Sequence, residues 1–294
     1  MLMRLAFGLI LALLAPASFA SPCVQDDTGQ AVCMASSAPP SRVLSLSPHL
    51  TEIVAQVGGQ AQLVAVDDSS NYPAAVQSLP KIKQPWLVGT EALLTYKPDL
   101  VLVWQSGIAQ STVRQLRAAG VPVYVSEPQS VEGVGKAMMD VAQLLGQKQH
   151  AVDGIHQWQQ GMASLKAEYA VKPTVSVFYQ VWPQPLMTLG GQHLVSEVIS
   201  LCGGRNVFDE QTGLAPTVTL EAVLNRKPQV LLASGPAGTL QALRSQWSKW
   251  TALPAVRQQH IYTIEPDILV RQGPRILIAA KQVCKVLDQA RPKP

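Results

Sequence analysis

The chain has 294 residues, 47% of them hydrophobic and only 14% charged. That balance excludes a disordered chain and leaves length for two domains of ordinary size. Its formal net charge of +4 comes from Lys and Arg scattered singly, which excludes a nucleic-acid surface, and no apolar stretch after the first twenty residues is long enough to span a bilayer.

Residues 1–20 read as a secretory leader: Arg4 supplies the charge, Leu5 to Ala20 the apolar run, and Ser18-Phe19-Ala20 the small residues of a cleavage site. The run is shorter than the roughly 20 residues of a spanning helix. Pro22 precedes Cys23 where a lipidated cysteine needs a small residue, so a soluble mature chain is expected from Ser21.

Residues 21–41 form an N-terminal extension. The four cysteines of an exported chain suggest two disulfides, for which three pairings exist. Cys23 and Cys33 flank a polar turn at Gly29 and look like a local clip, which leaves Cys202 with Cys284. In the chain-entropy account, a bridge closing so long a loop contributes on the order of 4 kcal/mol.

From residue 42 to 146, short apolar runs at Val43–Leu46, Leu63–Val66, Leu100–Trp104 and Val123–Val125 alternate with amphipathic segments. From 171 to 294 the same alternation returns with Val175–Gln180, Val230–Ala233 and Ile261–Ile264. Strands alternating with helices imply mainly parallel sheets. Between the halves, Ile155, Trp158, Met162, Leu165 and Tyr169 form one helical stripe, so residues 147–170 are expected as a single helix ended by Pro173. The fold class is therefore α/β: two lobes with mainly parallel sheets, joined by one long rigid helix.

Two repeats relate the halves. EALLTYKP at 91–98 returns as EAVLNRKP at 221–228, and LTEIVAQVGG at 50–59 as VSEVISLCGG at 195–204. In the first pair a short helix is expected over Glu91–Tyr96 and Glu221–Arg226, stopped by Lys-Pro before a buried strand.

No catalytic motif is present: no nucleophile elbow, P-loop, dinucleotide fingerprint or zinc helix. Neither a catalytic residue nor a metal site is expected. The histidines are His49, His150, His156, His193 and His260, and only His49, just after a strand end, is placed to face a cleft. Trp104 ends an apolar strand, Trp86 lies in a loop, and Trp182 follows the strand that opens the second half; these rings suit the walls of a cleft. Trp158, Trp247 and Trp250 read as packing.

RVLSLSPHLTE at 42–52, Tyr72-Pro73, EALLTYKPDLV from Glu91, CGG at 202–204 and GPRILIAAKQVC at 273–284 resemble the single-helix-linked periplasmic binding proteins, in particular their vitamin B12 carriers. The resemblance runs from about Arg42 to Leu287. It implies two α/β lobes with a cargo between them, a monomer in the periplasm, no catalytic cofactor, and a corrinoid delivered to the permease dimer of an ABC importer. Glu91 and Glu221 match the residues that dock on permease arginines. Trp86, Trp104, Asp267 and Arg271 match ligand contacts, with Asp267 and Arg271 facing amide hydrogens and oxygens. Ser69, Met187 and Ala215 stand where the B12 carriers have rings, while Trp182 has no counterpart. Haem, with Tyr72 or His49 as axial ligand, and a ferric siderophore are the alternatives within the family. An exported enzyme is the alternative outside it, and it would need an acid, base and nucleophile that the sequence does not offer.

Overall fold

The computed structural model describes residues 21–292, so the leader expected at 1–20 lies outside the described residues. The chain opens with a hairpin, β1 (Cys23–Gln25) and β2 (Ala31–Cys33), in which Cys23 sits opposite Cys33 and is bonded to it. The first lobe then runs β3 (Val43–Ser45), α1 (Pro48–Gln56), β4 (Leu63–Asp67), β5 (Lys81–Ile82), α2 (Thr90–Leu94), β6 (Leu100–Trp104), α3 (Gln110–Ala118), β7 (Val123–Ser126) and α4 (Val131–Leu144). Its five strands are all parallel in the order β5-β4-β3-β6-β7.

A single helix, α5 (Lys148–Ala170), leads to the second lobe. There follow β8 (Val175–Gln180), a hairpin of β9 (Trp182–Pro183) and β10 (Leu186–Met187), α6 (Leu194–Leu201), β11 (Gly204–Asn206), α7 (Leu220–Arg226), β12 (Val230–Ser234), α8 (Thr239–Trp247), α9 (Pro254–Arg257), β13 (Ile261–Ile264), α10 (Pro266–Leu269) and α11 (Ile276–Ala290). This sheet is also parallel, in the order β11-β8-β12-β13.

Both sheets are covered on both faces, which is why their strands read as unbroken apolar runs. Alternate side chains of β6 enter different cores: Leu100 and Leu102 one, Val101 and Val103 the other. In β12, Val230 and Leu232 part in the same way from Leu231 and Ala233. The inner core does not stop at a lobe boundary. It joins Leu100 and Leu102 through Trp158 and Met162 of α5 to Val230 and Leu232. The expected stripe is what α5 buries, with Leu165 only partly covered. Trp158 Nε1 donates to Pro274 O at 2.7 Å, and Gly161 lets α11 approach so closely that an added Cβ would sit 3.0 Å from Leu277 Cδ2. The connection is a packed element and not a tether.

The repeats share backbone as well as letters. Lys97 and Lys227 both turn left-handed, with φ of 47° and 46°, between a short helix and the Pro that precedes β6 or β12. The first of these helices stops at Leu94, earlier than Tyr96, because the last turn tightens: Tyr96 N donates to Leu93 O and Lys97 N to Leu94 O, three residues back, ahead of the left-handed Lys97. Cys202, at the end of α6, is bonded to Cys284 of α11.

Candidate ligand-binding cleft

Strands finish on one edge of each parallel sheet, and the two edges face each other across a cleft of about 580 Å³. The first lobe lines it with Ser47, Pro48 and His49 after β3, Trp104 and Ser106 at the end of β6, and Glu127 after β7. The second contributes Tyr179 and Val181 from β8, Leu214 and Ala215, Ser234 from β12, and Pro266, Val270 and Arg271 after β13. Open parallel sheets leave this edge free for ligands because the turns there are not needed to close the core.

Of the residues singled out in the sequence, His49, Trp104, Arg271 and Ala215 share the cleft wall. The Trp104 ring lies on Gly107, where a Cβ would come within 2.6 Å of Cε3, so the turn after β6 needs a glycine to seat it. His49 meets that ring edge-on at 6.4 Å, and Trp104 Nε1 is buried without a partner among the described residues. Trp86, on a loop after β5, and Trp182, in β9 just after β8, are 54% and 58% exposed. Met187 pairs opposite Trp182 in the β9–β10 hairpin. These three are not among the residues that line the enclosed volume, whereas the exposed Leu214 and Val270 are.

Ser69, Tyr72 and Asp267 gather where the lobes meet. Glu52, with its side chain 2% exposed, holds Arg275 through two bonds of 2.6 and 2.9 Å and Arg271 at 3.2 Å. Arg271 reaches on to Asp267 at 2.9 Å, Asn71 Oδ1 at 2.7 Å and Ser69 O at 3.3 Å, so protein acceptors occupy both its terminal nitrogens. Asn71 Nδ2 in turn donates to Asp267 at 2.8 Å, and the Arg275 guanidinium lies 4.3 Å from the centre of the Tyr72 ring. The equivalent repeat residue, Glu197, also crosses between lobes, where it accepts from Val131 N at the start of α4 at 2.8 Å. Sequence reasoning quoted both glutamates without assigning them a role. Their signal was a charge kept at one position of two otherwise apolar repeats.

Residues 43–268 match the periplasmic binding protein family. The chain belongs to that family. It is 33% identical over 249 residues to the vitamin B12-binding protein of Vibrio vulnificus (strain YJ016), covering 84% of this chain and 90% of that protein. Against the vitamin B12-binding protein of Yersinia pestis (strain Pestoides F) the identity is 34% over 244 residues, 83% of this chain and 85% of the relative. The crystal structure of the periplasmic vitamin B12 binding protein of Vibrio cholerae superposes with a TM-score of 0.77 at 32% identity, covering 86% of this chain and 98% of that one. The periplasmic heme-binding protein of Roseiflexus sp. RS-1 gives a TM-score of 0.74 at 26% identity, over 85% and 99% of the two chains. Periplasmic binding proteins of this family bind small ligands and work with ABC importers.

The cleft of this binding protein is poor in charge. Glu127 and Arg271 are its charged lining residues, and Arg271 is matched by Glu52 and Asp267. Glu127 forms no ion pair among the described residues; its Oε2 accepts from Ser106 N at 3.0 Å, and its own N donates to Asp27 Oδ2 at 2.6 Å. Two histidines line the cleft, and burial favours the neutral form of both. Burial first, and the Arg271 charge second, push His49 down to about 3. Its Nδ1 lies 2.7 Å from Ser47 Oγ, while Nε2 has no partner among the described residues. Burial also lowers His193, whose Nδ1 caps α6 by accepting from Val195 N at 3.1 Å. Burial raises Tyr179 to about 12. Among the described residues no cluster of His, Cys, Asp or Glu is built to hold a metal ion. Glu127 and His193 had no signal in the sequence, because each becomes a cleft residue only when distant strand ends converge.

Proposed function

We propose that this protein captures a corrinoid between its lobes in the periplasm and, as a monomer, hands it to the permease dimer of an ABC importer. Residues 42–146 and 171–294 act as the jaws, the helix expected at 147–170 as their joint, and 21–41 as a hairpin strapped to the first jaw. The observation that carries the ligand choice is the charge of the cleft. Its one arginine is neutralised by protein carboxylates and its remaining charge is negative. That disfavours an anionic siderophore or the carboxylates of haem, and suits a neutral, amide-fringed disc. The relatives named for vitamin B12 support the same choice.

In this reading Trp104 packs on the macrocycle inside the cleft. A corrinoid stands proud of the enclosed space, so Trp86, Trp182 and Met187 cover the part that protrudes. Ser69, Tyr72, Asp267 and Arg271 form the polar side, where Asp267 accepts from amide N–H and Arg271 donates to amide oxygen through Nε, the nitrogen that has no protein acceptor among the described residues. Glu91 and Glu221, exposed in the first turns of α2 and α7, dock on permease arginines.

Haem is the second reading, favoured by the buried, neutral and unpartnered Nε2 of His49. Calorimetric titration with cyanocobalamin and with haemin separates the two. Cyanocobalamin should bind tightly, and Trp104→Ala should weaken it by about 2 kcal/mol, roughly thirtyfold. Silence with cyanocobalamin, alongside haemin binding that His49→Ala or Tyr72→Phe destroys, transfers the assignment to haem.

A further inference from the structure

We propose that Glu127 and His193, lining the cleft from opposite lobes, act as a sorting pair that admits a corrinoid whose side chains end in primary amides and rejects the same macrocycle bearing a free carboxylate. This rests on the corrinoid reading and specifies which corrinoids the site takes.

Glu127 is anchored twice, by its own backbone N and by its carboxylate. Its N donates to Asp27 Oδ2, and its Oε2 accepts from Ser106 N two residues after Trp104. Oε1 has no hydrogen-bond donor among the described residues, and no cation of the cleft is free to neutralise the group. Asp27 belongs to the disulfide-closed hairpin, so that hairpin fixes the backbone from which the cleft carboxylate extends.

His193 offers the complementary group. Because Nδ1 accepts from Val195 N, the ring proton resides on Nε2. Burial disfavours a second proton, so the imidazole donates one hydrogen bond without carrying a charge. One jaw thus presents an anionic acceptor and the other a neutral donor. A primary amide satisfies both, its N–H to Glu127 and its carbonyl from His193. A carboxylate can use only the donor, and it sets a second negative charge beside Glu127.

The test is titration of the full mature protein at neutral pH with cyanocobalamin and with its monocarboxylic acid, in which one propionamide is hydrolysed. The wild type should bind the amide at least tenfold more tightly than the acid. Glu127→Gln should shrink that ratio to within threefold, chiefly by improving the acid, since a glutamine N–H can donate to a carboxylate. His193→Leu should weaken both ligands by similar factors, because both carry the acceptor oxygen it serves. A wild-type ratio under threefold overturns the proposal whatever the variants do, and so does a Glu127→Gln protein that loses affinity for both ligands alike while melting normally. Failure of the wild type to bind either compound refutes the corrinoid reading itself, a result distinct from binding without discrimination.

Discussion

The two lobes share a parallel α/β plan and differ in chemistry. Each buries a parallel sheet between helices, and each feeds a central strand from a short helix, a left-handed lysine and a proline. Yet the glutamate at one repeat position, Glu52, sits in a buried cluster with two arginines, while its counterpart Glu197 meets a single backbone N–H. The cleft walls differ likewise. The first lobe supplies Trp104, His49 and Glu127, and the second is largely aliphatic around Arg271. Duplicated strands hold the frame, and specificity was written into the turns after them, where a substitution does not disturb a core.

Unequal penalties should follow from that asymmetry. Glu52→Gln leaves Arg275 without its anion and Arg271 with Asp267 alone, both arginines being largely covered, and should cost about 3 kcal/mol of unfolding free energy. Glu197→Gln weakens one charge-assisted bond to Val131 N and should cost about 1–2 kcal/mol. Urea denaturation of both variants measures the gap. Equal losses would mean that the two interlobe contacts are energetically alike despite their different partners.

The frame was legible and the junction was not. Val43, Leu100, Val123, Val175, Val230 and Ile261 each open a strand, as the apolar runs indicated, and α5 begins within a residue of its expected start. Pieces without a period escaped notice. Lys81–Ile82 is too short to show one, and Gly204–Asn206 carries no apolar side chain, so only pairing along an established strand makes either a sheet edge. Trp104 could be found because it terminates an apolar run. Arg271 was legible as a cleft residue but not as a clasp, since its partners Glu52, Asn71 and Ser69 are some two hundred residues away in sequence.

The histidines sharpen the comparison by titration. His49, in the first lobe, is pushed down to about 3 by burial and Arg271, whereas an unfolded histidine titrates near 6.5. Above that unfolded value neither state takes up a proton there, and stability is unaffected. As pH falls below it the unfolded chain binds the proton first, and stability is lost progressively until about pH 3. Between pH 7 and pH 5 the loss from this group should be about 2 kcal/mol. Burial shifts His193 in the same direction, so it adds to the slope. Replacing His49 with Gln removes its share, and a pH dependence of urea midpoints unchanged by that substitution would assign the acid sensitivity elsewhere.

The smallest effect on the fold should come from the pair in which the lobes are most alike. Glu91 and Glu221 are exposed in the first turns of α2 and α7, where each interacts with the positive end of a short helix. Reversing one charge should cost only about 0.5 kcal/mol of stability, because solvent screens both the side chain and the helix end. Neither residue lines the cleft, so affinity for cyanocobalamin should stay at the wild-type level. Transport is where they should matter. In the proposed docking on two equivalent basic sites of a permease dimer, a single reversal leaves one contact intact and should slow uptake modestly, whereas the double lysine variant would meet like charge on both sides and should abolish uptake. Uptake assays with radiolabelled cyanocobalamin in cells carrying each variant decide the point. Normal uptake by the double variant would reduce the repeated glutamate to a helix-start preference, and a single variant as defective as the double would show that the lobes dock unequally.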